Sequence, residues 1–395
     1  MLLQDVNTVN LELICDDGIC DFVQGGNIQS LQGARNINVT RKLKIDAAQS
    51  ICNEETTGIV AYQLLSGGYI ENCNFTLESD VSGNSGGIFY KGDSVTIKNT
   101  TVNIISKNGN EVAALGHTLT GNSIVNNVTI TGELSGNSVA GAFVETNATI
   151  ENASIHLNAN GTKEAAGLCL KGNPTIKHCM VTGRLDAGEN GNAYGIAPGT
   201  KDHPDSISQC ISALAIIRGN TVGRVAVEKC NNCIAYTGMK VHASTIADAS
   251  EILKNETELL LLETFQNIGF DFESMWKFVN KKNFPILANH TNALYPYPFL
   301  NPYPTVTGKY IFKKGEAVAL YGASSPKTEK ITWKNLSPLE TVKVLGNNDY
   351  MANNDEFYLQ MNLAFQACEQ YTVDIVSIVY GEEFIRKITI EVGES

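Results

Sequence analysis

The first residues able to do chemistry are a histidine and a cysteine side by side, His178 and Cys179, in GLCLKGNPTIKHCMVTGRLD. An imidazole beside a thiol is the pairing of a base with a nucleophile. Two observations argue against that use. Neighbours on a strand point to opposite faces, so ring and thiol diverge. Equivalent stretches elsewhere in the chain carry Asn or Gln in place of the histidine.

Other candidates are weighed in the same way. Cys230-Asn-Asn-Cys233 has the spacing of half a zinc site, but no second pair follows at finger-like distance, so packing or a surface disulfide is the alternative and no metal is assigned. Cys15 and Cys20 flank DDGI, where a disulfide and two buried thiols both remain open. The loop GTKDHPDSIS gathers Asp202, His203 and Asp205 around Pro204 and is longer than its counterparts, so these three are the candidate ligand-binding residues. Two carboxylates there suit calcium or a sugar, and a solvated turn is the plain alternative. Glu145, Arg184, Asp186 and Glu189 also lie near turns, but their spacing does not set two carboxylates opposite a base, so no catalytic residue is assigned. The 10 Asn-x-Ser/Thr triplets, among them Asn74, Asn127, Asn152 and Asn255, recur with the repeat and follow from composition.

The elements that hold these residues are repeated. Turns at Gly58, Gly87, Ala114, Gly141, Gly167, Gly195 and Gly223 are separated by 29, 27, 27, 26, 28 and 28 residues. Between them runs an apolar column, Ile70, Ile97, Val125, Ile150, Ile176 and Ile207. Two positions on come Asn72, Asn99, Asn127, Asn152, His178 and Gln209, then Cys73, Thr100, Val128, Ala153, Cys179 and Cys210. A further apolar column, Phe75, Val102, Ile130, Ile155 and Val181, fails at Ser212. Short β-branched runs broken by Gly-Asn and Ser-Gly turns are strands, and one such unit cannot bury its apolar side alone. The expected fold is all-β: a right-handed parallel β-helix of about 27-residue coils. Cys73, Cys179, Cys210 and Cys233 then form one inward structural column of small buried hydrophobes.

Past Val241 the pattern changes. SEILKNETELLLLETF predicts an amphipathic helix with Ser250 as N-cap and Ile252, Leu253, Leu259, Leu260 and Phe265 on its apolar side. With the aromatic stretch after it, this segment is expected to cap the open solenoid end. YPYPFLNPYP reads as an extended linker, and the β runs beyond it suit a small immunoglobulin-like sandwich around Trp333. The expected division is residues 1–33 as an N-terminal cap or first coil, 34–244 as β-helix repeats, 245–292 as the cap, 293–304 as linker and 305–395 as sandwich.

Composition narrows the function. A formal net charge of -12 argues against nucleic acid and anionic membranes as partners, and no apolar run is long enough to insert into a bilayer. MLLQDVNTVNLEL has no secretion-signal pattern, which implies either a removed signal or assembly without a secretion channel.

These repeats resemble the GLUG motif: a Gly turn, then Gly-x-x-Ile-x-Asn-Cys, then Thr-Gly and an apolar residue. GLCLKGNPTIKHCMVTGRL matches it best, with His178 where Asn is usual, and GFDFESMWKFVNKKNFPIL looks like the aromatic segment that often follows such repeats. The resemblance covers about residues 34 to 290. It implies a surface-displayed, non-enzymatic binding or adhesion protein outside the cell, whose partner is a host or cell-surface glycan or protein. A fibre or receptor-binding protein of a bacterial virus, located on the virion, is the first alternative, motivated by the free thiols. A polysaccharide lyase or hydrolase is the second. The repeats are also similar to regions attached to secreted peptidases, but the peptidase motif HExxH is missing from the sequence. No cofactor is expected, calcium being the exception raised above. A homo-oligomer is left open.

Overall fold

The computed structural model describes residues 2–3, 11–15, 20–24, 28–44, 56–203, 205–278, 284–288, 302–307, 310–324, 328–345, 349–353 and 356–394. The chain divides into two units, Met1–Pro298 and Phe299–Ser395. Residues 289–301, which include most of the expected linker, lie outside the described residues.

The first unit is a parallel β-solenoid of about seven turns of ~27 residues. Its register follows the apolar column, with Ile97 opposite Ile70 and Val125, Val125 opposite Ile150, Ile150 opposite Ile176 and Ile176 opposite Ile207. All six are buried. Parallel stacking puts each residue on its equivalent one coil away, so an inward position must stay apolar in every coil. The second column obeys the same rule and ends where Val181 pairs with Ser212, whose buried hydroxyl has no partner among the described residues.

Two features refine the expected geometry. The amide column bends the strands, with Asn99, Asn127 and Asn152 within strand runs and Asn72, His178 and Gln209 at breaks between them. It forms a corner of left-handed residues, with φ of 53° at Asn72, 51° at Asn99, 57° at Asn127, 53° at Asn152, 50° at His178 and 56° at Gln209; Asn36 at 55° and Asn232 at 52° extend it. Asn is the residue besides Gly that tolerates this region, because its short amide bonds locally. The glycine column also shifts by one residue at its ends. Gly58 pairs with Gly86, which aligns with Ala113, and Ala140 pairs with Ala166, then Tyr194, then Gly223. Consecutive small residues such as Gly86-Gly87 fit both alignments, so their identity does not distinguish them.

The predicted helix from Ser250 does not form. Ile252–Lys254 is a strand paired with Ile234–Tyr236, with Ile252 and Leu253 exposed, and Ser250 itself has a φ of 62°. The open strand edge of the preceding coil takes these residues before a helix can start. Helix α1 (Glu256–Leu259) begins instead at Asn255, whose side chain accepts from the Glu258 amide at 3.0 Å while Glu258 accepts from the Asn255 amide at 2.9 Å. This reciprocal capping box outcompetes a lone serine. Helix α2 (Leu262–Gln266) follows and buries Phe265.

The second unit has two mainly antiparallel sheets. One contains Thr305–Thr307, Ala317–Ala323, Val342–Val344, Asp349–Asn353 and Glu356–Phe365; the other contains Ile311–Lys313, Thr328–Ser337, Gln370–Val379 and Glu382–Gly393. They share a core that includes Val318, Leu359, Tyr371 and Ile390, with Trp333 half-buried against it.

Candidate functional site

His178 and Cys179 are not brought together. Cys179 is fully buried, and its thiol donates to the Lys177 carbonyl at 3.1 Å and the Ile150 carbonyl at 3.8 Å. The His178 ring turns outward, edge-on to Phe270 at 5.8 Å, and burial holds its pKa below the ordinary value. Their divergence comes from the left-handed corner rather than from strand alternation.

The cysteine column has more than a packing role. Cys73, Cys179 and Cys210 each donate at 3.1 Å to the carbonyl two residues earlier, Cys233 does so at 3.5 Å, and Thr100 takes the same bond at 2.8 Å. At Glu71, Lys98 and Asn231 that carbonyl also accepts a backbone amide of the neighbouring coil, so the thiol or hydroxyl adds a second bond to it. Burial pushes the Cys73 thiol up to about 11 and Cys169 up to about 12, so neither is a thiolate at neutral pH. Cys230 and Cys233 are free thiols, so the surface disulfide considered for them does not form. Cys15 is disulfide-bonded; the Cys20 side chain, the partner considered for it, lies outside the described residues.

Asp202, His203 and Asp205 are all exposed on the long loop, and Asp205 accepts from the Asn231 amide of the next coil at 3.0 Å. Pro204 lies outside the described residues. Among the described residues no three His, Cys, Asp or Glu side chains converge as a metal ion requires. Arg184 and Asp186 pair at 2.6 Å, with Asn160 at 2.5 Å from the guanidinium and Arg218 at 3.6 Å from the carboxylate. That network ties neighbouring coils together. Glu189 is exposed.

The polar cluster with most internal organisation lies elsewhere, on the outer face of the strands after the glycine corner. Inward residues alternate there with outward ones, so Phe89 and Phe143 point in, while half-buried Tyr90 and His117, itself buried at 6% exposure beneath its neighbours, stand on the other face. Gly116 leaves room for the Phe89 ring; a Cβ on it would stand 2.4 Å from Phe89 Cε2. Directly outward of this contact, His117 stacks on Tyr90 at 4.7 Å, and Tyr90 stacks on Tyr62 at 5.6 Å, one ring per coil. Lys91 lies over the Tyr62 ring at 5.2 Å.

Glu111 closes the cluster from the facing strand. Its carboxylate meets His117 Nε2 at 3.0 Å and Lys171 Nζ, two coils further, at 2.6 Å, while Asn84 donates to it at 3.3 Å. The hydrogen bond from His117, opposed by burial and helped by Lys171, holds the Glu111 carboxyl down at about 2. A carboxylate held that acidic is unfit as a general acid or base near neutrality. Further along, burial and the neighbouring Glu164 raise Tyr194 to about 12. Tyr194 packs with Val144 and Leu170 in a small apolar cluster on the same flank. The chemistry on offer is recognition, by a fixed strip of phenol, amide, carboxylate and ammonium groups. This strip was not foreseen from the sequence; the recurrence of Tyr62, Tyr90 and His117 at steps of 28 and 27 residues is the signal that could have found it. The pairing of Glu111 with Lys171 spans 60 residues and leaves no local signal.

No protein-family model matches the chain, and no curated protein and no solved structure matches it either.

Proposed function

We propose that the protein is a non-enzymatic binding protein of the adhesin type, displayed outside the cell, which uses the flank of its solenoid to hold a host or cell-surface glycan or protein. A β-solenoid suits a structural or binding role. The observation that carries the reading is the Tyr62–Tyr90–His117 stack clamped by Glu111 and Lys171. It is a pre-ordered polar strip across several coils, so binding immobilises few side chains. Glu111, held far below the ordinary carboxyl range, is unsuited to act as the general acid of a hydrolase at this strip. The resemblance to GLUG repeats supports the surface setting. The full chain applied to glycan and host-matrix arrays is expected to capture a discrete ligand set, and Tyr90→Ala with Lys171→Glu is expected to abolish it. Absence of capture by the full chain sinks the reading.

The virion-fibre alternative draws on one observation, the seven free cysteines among the described residues, six of them buried. Thiols in this number suit folding in a reducing compartment. A stable homo-oligomer in sedimentation of the full chain would favour that alternative.

A further inference from the structure

The aromatic segment after helix α2 does not stay at the solenoid end. It runs back along the left-handed corner towards the N-terminal coils. Gly269, with a φ of 90°, passes so close that a Cβ there would stand 2.8 Å from Gln209 Nε2 and 3.0 Å from His178 Nε2. Phe270 meets the His178 ring, and Trp276, buried at 1% exposure, donates from Nε1 to Asn152 Oδ1 at 3.2 Å. Ile286–Leu287 then lies beside the strands Ile124–Ala140 and Thr149–Asn160. The segment thus crosses several coils in reverse, from the rung of Gln209 to strands near the middle of the solenoid.

The amide ladder records its arrival. Asn72 donates to Asn36 at 3.1 Å, Asn99 to Asn72 at 3.0 Å and Asn127 to Asn99 at 2.8 Å. There the run stops. Asn127 Oδ1 is buried without a partner among the described residues, and the Asn152 carbonyl oxygen is taken by Trp276. Where the ladder is exposed, at Asn72 and Asn99, its rungs are asparagines bonded to one another. Under the segment they are Asn152, His178 and Gln209, which face the segment.

We infer that this segment is a mechanical strap, carrying tension from the chain beyond Pro298 into the middle of the solenoid and keeping the coils after Asn152 out of the load path. A solenoid pulled from its last strand, Ile252–Lys254, unzips, because its ladder bonds break one after another at an open edge. A strap docked across several coils is loaded in shear, with the Trp276 bond, the aromatic packing and the strand contacts all resisting together. The exposed Ile246, Ile252 and Leu253 mark the terminal coil as the weak end that this bypass protects.

The test is single-molecule stretching of the full chain between a handle at exposed Glu145 and one at the C-terminus. The bond from Trp276 to Asn152 closes a loop of 124 residues, so strap release should add about 400 Å of contour in one step. In Trp276→Ala this step should be replaced by several of about 90 Å, one coil each, starting at lower force. Small steps in the wild-type chain from the outset overturn the proposal. So does an unchanged trace in Trp276→Ala or, should that variant fail to fold, in Asn152→Leu.

Discussion

The thiol of Cys179 donates to the carbonyl of Lys177 at 3.1 Å, reaching across the left-handed residue His178 that separates them. Cys73, Cys210, Cys233 and Thr100 repeat the bond in their own coils, so it is a property of the corner. Cys179→Ala should therefore lose about 1–2 kcal/mol, combining a small cavity with the loss of one hydrogen bond. Cys179→Thr should retain more stability than Cys179→Val, which matches it in shape but lacks the donor. Denaturant midpoints of the three variants decide this, and equal midpoints for Thr and Val would show that the bond contributes nothing.

His178 is held at a φ of 50°. His178→Asn should keep the fold near its original stability, whereas His178→Val should cost about 1–2 kcal/mol for placing a β-branched side chain in the left-handed region. Thermal unfolding of both variants measures the difference.

Acid should loosen the outer flank in a defined window. The Glu111 carboxyl lies at about 2 in the folded chain, below its ordinary 4.5. A depressed carboxylate contributes stability that is present above the unfolded value and is lost as pH falls through the folded one. That contribution should decline from about pH 4.5 to about 2, and Glu111→Gln should flatten this part of the stability profile. A profile with the same slope in the variant would assign the acid sensitivity to other carboxylates.

Gly116 is filled by a neighbour's ring rather than required by backbone conformation. Gly116→Val should cost about 1–3 kcal/mol through overpacking against Phe89. It should also displace His117 from Tyr90, which the ring-current shifts of His117 in the NMR spectrum will report.

The register of Ile70, Ile97, Val125, Ile150, Ile176 and Ile207 was readable in the sequence because parallel stacking imposes one chemical class on each inward column. Asn72, Asn99, Asn127 and Asn152 marked a shared position for the same reason, although not the left-handed backbone that selects them. The one-residue slip at Gly58 was hidden because adjacent small residues carry no register information.

What the amino-acid sequence by itself determined is the coil: its length, its inward columns, its asparagine column and the change of pattern after Val241. Only the tertiary structure decided that Ile252–Lys254 joins the sheet, that Trp276 returns to Asn152, and that Glu111 gathers His117 and Lys171. The repeat is legible because each coil faces a near-copy of itself, so the same constraint is written many times. The strap and the polar strip are single contacts between distant parts of the chain. Each is specified once, by shape and hydrogen-bond geometry that exist only after the coils have stacked.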